Sequence, residues 1–147
     1  MSTAELRVPS EVVRLPRSAT DEQILTVVRR WADLLAAEQY DRAYGMTAHN
    51  SYHQWSPGLM RDVIEGYGLP EPHHRGPFRV SPVATATGGA RARRKVTRRA
   101  APAHDGEVGE VWFDLPLNGE WSDLTATFTI HELNGEVVLC LEEIHVF

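Results

Sequence analysis

Three dipeptides constrain this chain more than any other feature: Asp105-Gly106, Asn118-Gly119 and Asn134-Gly135, each set between runs of β-type residues. Such pairs supply the positive φ angles that two-residue hairpin turns require. Three successive hairpins predict a four-stranded antiparallel meander in the C-terminal half. Register then follows by arithmetic, because residues paired across strands share a face. Leu133 pairs with Glu136, Phe128 with Leu141, Ala126 with Glu143 and Leu124 with His145; across the preceding turn Leu117 pairs with Glu120, Phe113 with Leu124 and Val111 with Ala126. One face collects Val111, Phe113, Leu115, Leu124, Ala126, Phe128, Ile130, Leu139 and Leu141. The other collects Trp112, Asp114, Thr125, Thr127, Thr129, His131 and Glu142. The Asp-Gly turn places Arg98 opposite Phe113 on the apolar face and Arg99 opposite Trp112 on the polar one, where a guanidinium can stack on the indole.

The N-terminal half reads as helical. Thr20 and Gln23 have capping-box spacing, Asp21 and Glu22 favour the dipole of the first turn, and Ile24, Val27, Val28, Trp31, Leu34 and Leu35 recur on one stripe. A shorter helix carries Tyr40, Ala43 and Tyr44 and ends before Asn50. A third starts at Ser56 with Pro57 in its first turn, presents Leu59, Met60, Val63, Ile64 and Tyr67, and stops at Gly66, Gly68 and Pro70. Phe78 and Val80 suggest a short strand, and Gly88-Gly89 a turn. Pro9 and Pro16 break the first segment, so residues 1–19 read as an N-terminal tail, with Val12, Val13 and Leu15 available to lie against the domain.

A chain of 147 residues encloses one substantial core and not two, so residues 20–147 form a single α+β domain with the helices packed on the apolar face of the sheet. No apolar run approaches a membrane span, and the charges among residues 1–20 leave no signal-peptide core. One cysteine, Cys140, permits neither an intrachain disulfide nor a thiolate cluster, and the compartment expected is the reducing cytoplasm. Residues 72–104 hold eight Lys and Arg and no acid, whereas residues 105–147 hold ten acids and no Lys or Arg. Adjacent strands would neutralise one another, so the basic run of Arg91, Arg93, Arg94, Lys95, Arg98 and Arg99 is read as internally paired; the nucleic-acid patch that such a run can also form is not expected.

The helix-one tail, Leu34-Leu35-Ala36-Ala37-Glu38-Gln39-Tyr40-Asp41-Arg42-Ala43-Tyr44, followed by further helices and then an antiparallel sheet, resembles the nuclear transport factor 2-like (SnoaL-like) superfamily over residues 21–147. The resemblance implies a curved sheet of cystatin-like topology that, with the helices, encloses a conical pocket. In that superfamily the pocket serves isomerases, polyketide cyclases and dehydratases, while other members are non-catalytic binding or dimerisation domains. It also implies that the segment between the second and third helices lies near the pocket mouth. No catalytic set of the superfamily aligns here residue by residue.

Glu143, His145 and Arg98 are polar residues on a face otherwise built for burial. Glu143 and His145, two apart on one strand, have the spacing of a carboxylate-oriented imidazole, a general base; the plainer reading is a wetted sheet margin. Arg98 shares their cross-strand row, about 14 Å from His145, or snorkels at an edge. Tyr44, His53 and Trp55 are the further candidates for contact with a ligand. His49 and His53 have helical ligand spacing but lack a third ligand, and His73-His74 point apart in an extended segment, so no metal and no cofactor is expected. Cys140 reads as a packed small residue. The expected function is a small-molecule-binding module, or an interaction module forming a homodimer through the outer face; the alternative is an acid–base isomerase, cyclase or dehydratase.

Overall fold

The computed structural model describes residues 6–67, 77–103 and 105–147; His73-His74 lies outside them. The element order is β1 (Leu6–Arg7), β2 (Leu15–Pro16), α1 (Asp21–Ala36), α2 (Tyr40–Gly45), β3 (His49–Asn50), α3 (Pro57–Glu65), β4 (Arg94–Arg98), β5 (Glu107–Leu117), β6 (Glu120–Leu133) and β7 (Glu136–Val146). Strands β2-β7-β6-β5-β4 form one strongly curled antiparallel sheet, and β1 pairs with β3 separately. The α+β class expected from the turns and the helical stripe is the class observed.

Local chemistry accounts for the helix ends. Thr20 Oγ1 accepts from Gln23 N while the Gln23 side chain accepts from Thr20 N, which closes the capping box. Ser56 Oγ accepts from Leu59 N at the start of α3, beside Pro57. α1 buries Ile24, Val27, Val28, Trp31, Ala32 and Leu35, and α3 buries Met60 and Ile64. Leu59, expected on that face, is exposed instead. The helices meet the sheet through Val111, Phe113, Leu115, Phe128, Ile130 and Leu141, with the Trp31 indole edge-on to Phe128 at 5.0 Å. That side of the sheet is the main core.

Two of the three hairpins have the expected turns. Asn118 and Gly119, and Asn134 and Gly135, all have positive φ, and they close Leu117 on Glu120 and Leu133 on Glu136. The third connection is longer. β4 ends at Arg98, which pairs with Gly109 and not with Phe113, so Arg94 is the residue opposite Phe113 and Lys95 the one opposite Trp112. Arg99 therefore cannot stack on Trp112; Lys95 Nζ at 5.6 Å and Arg93 Cζ at 5.3 Å take that place. Within β5 and β6 an irregularity between Asp114 and Pro116 shifts the pairing by two, so Phe113 faces Ala126 and Val111 faces Phe128. An even shift preserves the faces.

β7 behaves differently. Its pairing follows the expected register from Glu136 to Leu141, and then Thr127 pairs with Glu143, leaving Glu142 surplus. This bulge is an odd shift, and an odd shift turns every later side chain to the other face. Glu143 and His145, expected on the helix-facing side, lie opposite Thr127 and Thr125 on the outer side, and Ile144, 5 % exposed, faces Ala126 in the core. Burying an isoleucine there is favourable by about 2–3 kcal/mol, whereas two buried titratable groups would carry a desolvation cost.

Residues 6–19 of the segment read as a tail are part of the fold. Leu15 pairs with Val137 on the free edge of β7, Val13 N donates to Met46 O, and Val12 is buried with Ala48, Val138 and Cys140, against Leu6 and Val8. The outer face of β7 is thus covered by a second, smaller apolar cluster.

Candidate functional site

The surplus residue of the bulge organises a connected polar cluster on the outer face. Glu142 projects towards β6 and the β3–α3 connection. Its Oε1 accepts from Asn50 Nδ2 at 2.9 Å and lies 3.2 Å from His53 Nε2; its Oε2 accepts from Thr129 Oγ1 at 2.7 Å. Asn50 Oδ1 accepts from the backbone N–H groups of Tyr52 and His53, a turn that fixes the loop carrying His53. Trp55 Nε1 donates to Glu142 O at 2.8 Å and so satisfies the carbonyl of the surplus residue.

The hydrogen-bond directions can be assigned. An ionised Glu142 only accepts, so the Thr129 hydroxyl donates to it, and the lone pairs of that hydroxyl must receive His131 Nε2–H at 2.9 Å. The relay therefore runs from His131 through Thr129 to Glu142, with His53 at the far oxygen. His131 is 8 % exposed, and its Nδ1 is buried without a partner among the described residues. Cys140 pairs with Thr129 across the strands and is fully buried. Burial first, and then the negative charge of Glu142, push its thiol pKa up to about 12, so Cys140 is no nucleophile near neutral pH.

Beside this relay a cleft of about 230 Å³ opens on the outer face. Its walls carry the carboxylates of Glu110, Glu142 and Glu143, the rings of Trp112 and Phe147 with centroids 4.7 Å apart, and the hydroxyls of Thr127 and Thr129. Two wider grooves, about 460 Å³ beside Arg42 and Arg61 and about 480 Å³ beside Arg91 and Trp121, carry weaker arguments for a site. The buried carboxylate of the larger, Asp114, is already satisfied by Arg93 and Thr125.

Of the residues singled out from sequence, the fold brings His53 and Trp55 to Glu142. Tyr44 stands one step behind, stacked on His49 at 3.9 Å while its carbonyl accepts from His49 Nε2. His49 lies on β3 and faces Tyr44, so it shares no helical face with His53, and the ligand spacing suggested for that pair does not arise. Arg98 is elsewhere: it is on the helix-facing side but at the start of α1, where it pairs with Asp21 at 3.0 Å and donates to Ala19 O. Glu143 and His145 share the outer face without a hydrogen bond between them among the described residues, and His145 packs edge-on to Phe147.

Sequence reasoning missed Asn50, Thr129, His131 and Glu142 as one site. A signal was available: the apolar positions Val137, Leu139 and Leu141 step by two and then resume at Ile144, which marks one surplus residue between. Among models of known protein families, curated proteins and solved structures, none matches this chain.

Proposed function

We propose that this chain is a small-molecule-binding module whose outer-face cleft takes a small organic cation, an amine or a quaternary ammonium. The observation that carries this reading is the pairing of three carboxylates with two aromatic rings in one cleft whose lining, among the described residues, contains no Lys or Arg. Organic cations bind over aromatic faces near fixed negative charge. Arg93 and Lys95 approach the Trp112 ring from β4, but the acids outnumber them, and Glu143 has no ion pair among the described residues. The volume suits a ligand of metabolite size or smaller.

The element order supports kinship with the nuclear transport factor 2-like superfamily as part of this proposal. The proposed site differs in place from that superfamily's pocket, because the helix-facing side here is occupied by Trp31, Phe113 and Phe128. The acid–base alternative also has a specific support, since His53 against Glu142 is the carboxylate-oriented imidazole that Glu143 and His145 do not form.

Calorimetric titration of the full chain with choline and with ethanolamine at low salt tests the binding reading. Saturable heat is expected, weakened about tenfold in a Glu110→Gln/Glu143→Gln double variant, given up to about 1 kcal/mol for each exposed charge pair. Absence of saturable heat at millimolar ligand, or undiminished binding in the double variant, would refute it.

A further inference from the structure

We infer that His131, Cys140 and Glu142 form a binding site for one borderline-soft divalent cation of the zinc class, with the fourth position open to water. One ligand atom from each of the three lies within 4.8 Å of the other two. His53 Nε2 is 3.2 Å from Glu142 Oε1, the oxygen remote from Thr129 and His131, and stays outside the set. Tetrahedral zinc with bonds of about 2.0–2.3 Å separates its ligands by roughly 3.2–3.8 Å. Side-chain adjustments of about an ångström therefore bring the donors into the sphere. One thiolate, one imidazole and one carboxylate match zinc or cobalt(II) and not magnesium or calcium, which take oxygen donors.

An independent observation points the same way. His131 is more than nine-tenths buried and its hydrogen bonding is incomplete, with Nδ1 lacking any partner among the described residues. Buried polar atoms in folded proteins are nearly always satisfied, so the ring is left with hydrogen-bonding capacity that the described residues do not use. The supporting contacts are in place as well. Thr129 and Asn50 hold the two oxygens of Glu142, the second-layer arrangement that orients metal ligands. The partly exposed side chains of Glu142 and His53 give an ion a route from solvent. Binding would displace the Cys140 proton to solvent and leave a coordinated thiolate. This set is distinct from the His49–His53 pair that spacing alone suggests.

Because Cys140 is the single cysteine, cobalt(II) titration of the full chain reports on it directly. One equivalent per chain is expected, with a near-ultraviolet thiolate-to-cobalt charge-transfer band, intense visible bands of tetrahedral coordination, and displacement by zinc. Glu142→Gln, at the partly exposed ligand, should weaken binding about tenfold or more, with altered visible bands and an unchanged circular dichroism spectrum. Cys140→Ser should lose the charge-transfer band, and circular dichroism of that variant checks that it folds. Saturation without a charge-transfer band, half an equivalent per chain, or unchanged affinity and spectrum in Glu142→Gln would each overturn the site as drawn. The Glu110→Gln/Glu143→Gln double variant keeps all three ligands. Retention of the cobalt band there, whatever happens to choline binding, separates this inference from the cleft proposal.

Discussion

The bulge at Glu142 makes opposite demands on two adjacent residues, and truncating each in turn measures it. Ile144 is 5 % exposed and faces Ala126 beneath the helices; Glu143 faces Thr127 on the outer side and has no ion pair among the described residues. Ile144→Ala removes buried methyl and methylene groups and leaves a cavity, at a cost of about 2–4 kcal/mol. Glu143→Ala changes stability by less than about 0.5 kcal/mol. With a urea m-value of about 1.5 kcal/mol/M, the first substitution lowers the unfolding midpoint by roughly 1.3–2.7 M and the second by under about 0.4 M. Urea titrations followed by tryptophan fluorescence and by circular dichroism give both midpoints and check that the two probes coincide. Strict two-residue alternation through β7 demands the reverse order, with Ile144 on the surface and Glu143 in the interior. A larger loss for Glu143→Ala than for Ile144→Ala would therefore refute the bulge and the site built on it.

Further substitutions test the packing and the electrostatics elsewhere in the fold. Gly109→Ala sets a Cβ 2.4 Å from Thr97 O and 3.2 Å from Ile130 Cδ1, so β4 must separate from β5; a loss of about 1–3 kcal/mol is expected, and an unchanged melting temperature would contradict it. Gly135→Val forces a β-branched residue to φ +82° at a cost of about 1–3 kcal/mol, read by the same thermal melt, with Asn118→Pro expected to be at least as damaging because φ there is +50°. Burial pulls the pKa of His49 below its ordinary 6.5, partly opposed by its bond to the Tyr44 carbonyl. The unfolded chain therefore takes up this proton first as pH falls, and the His49 contribution to stability, complete above 6.5, is lost between 6.5 and the lower folded value. Denaturant unfolding of the parent and His49→Gln between about pH 7.5 and 5.5 should give a shallower pH slope in the variant; equal slopes would contradict the assignment.

What the sequence determined by itself was encoded within a few residues, although the equally local Asp105-Gly106 pair did not close a two-residue hairpin. Thr20 and Gln23 start α1 because a capping box needs only three residues of spacing. Asn118-Gly119 and Asn134-Gly135 set their hairpins because positive φ is an intrinsic preference of those residues. The apolar face from Val111 to Leu141 followed from alternation, and the shift by two at Asp114 left it unchanged. Tertiary structure decided what depends on partners distant in the chain. Glu142 leaves the ladder where Asn50 Nδ2 and Trp55 Nε1, about ninety positions away, take its carboxylate and carbonyl. The covering of Cys140 by Val12 and Leu6 likewise joins the two ends of the chain. His53 and Trp55 were recognisable as candidates by residue type, but their common partner was not, because a single surplus residue inverts the face of everything after it, and whether a strand takes up that residue is settled by long-range hydrogen bonds and packing.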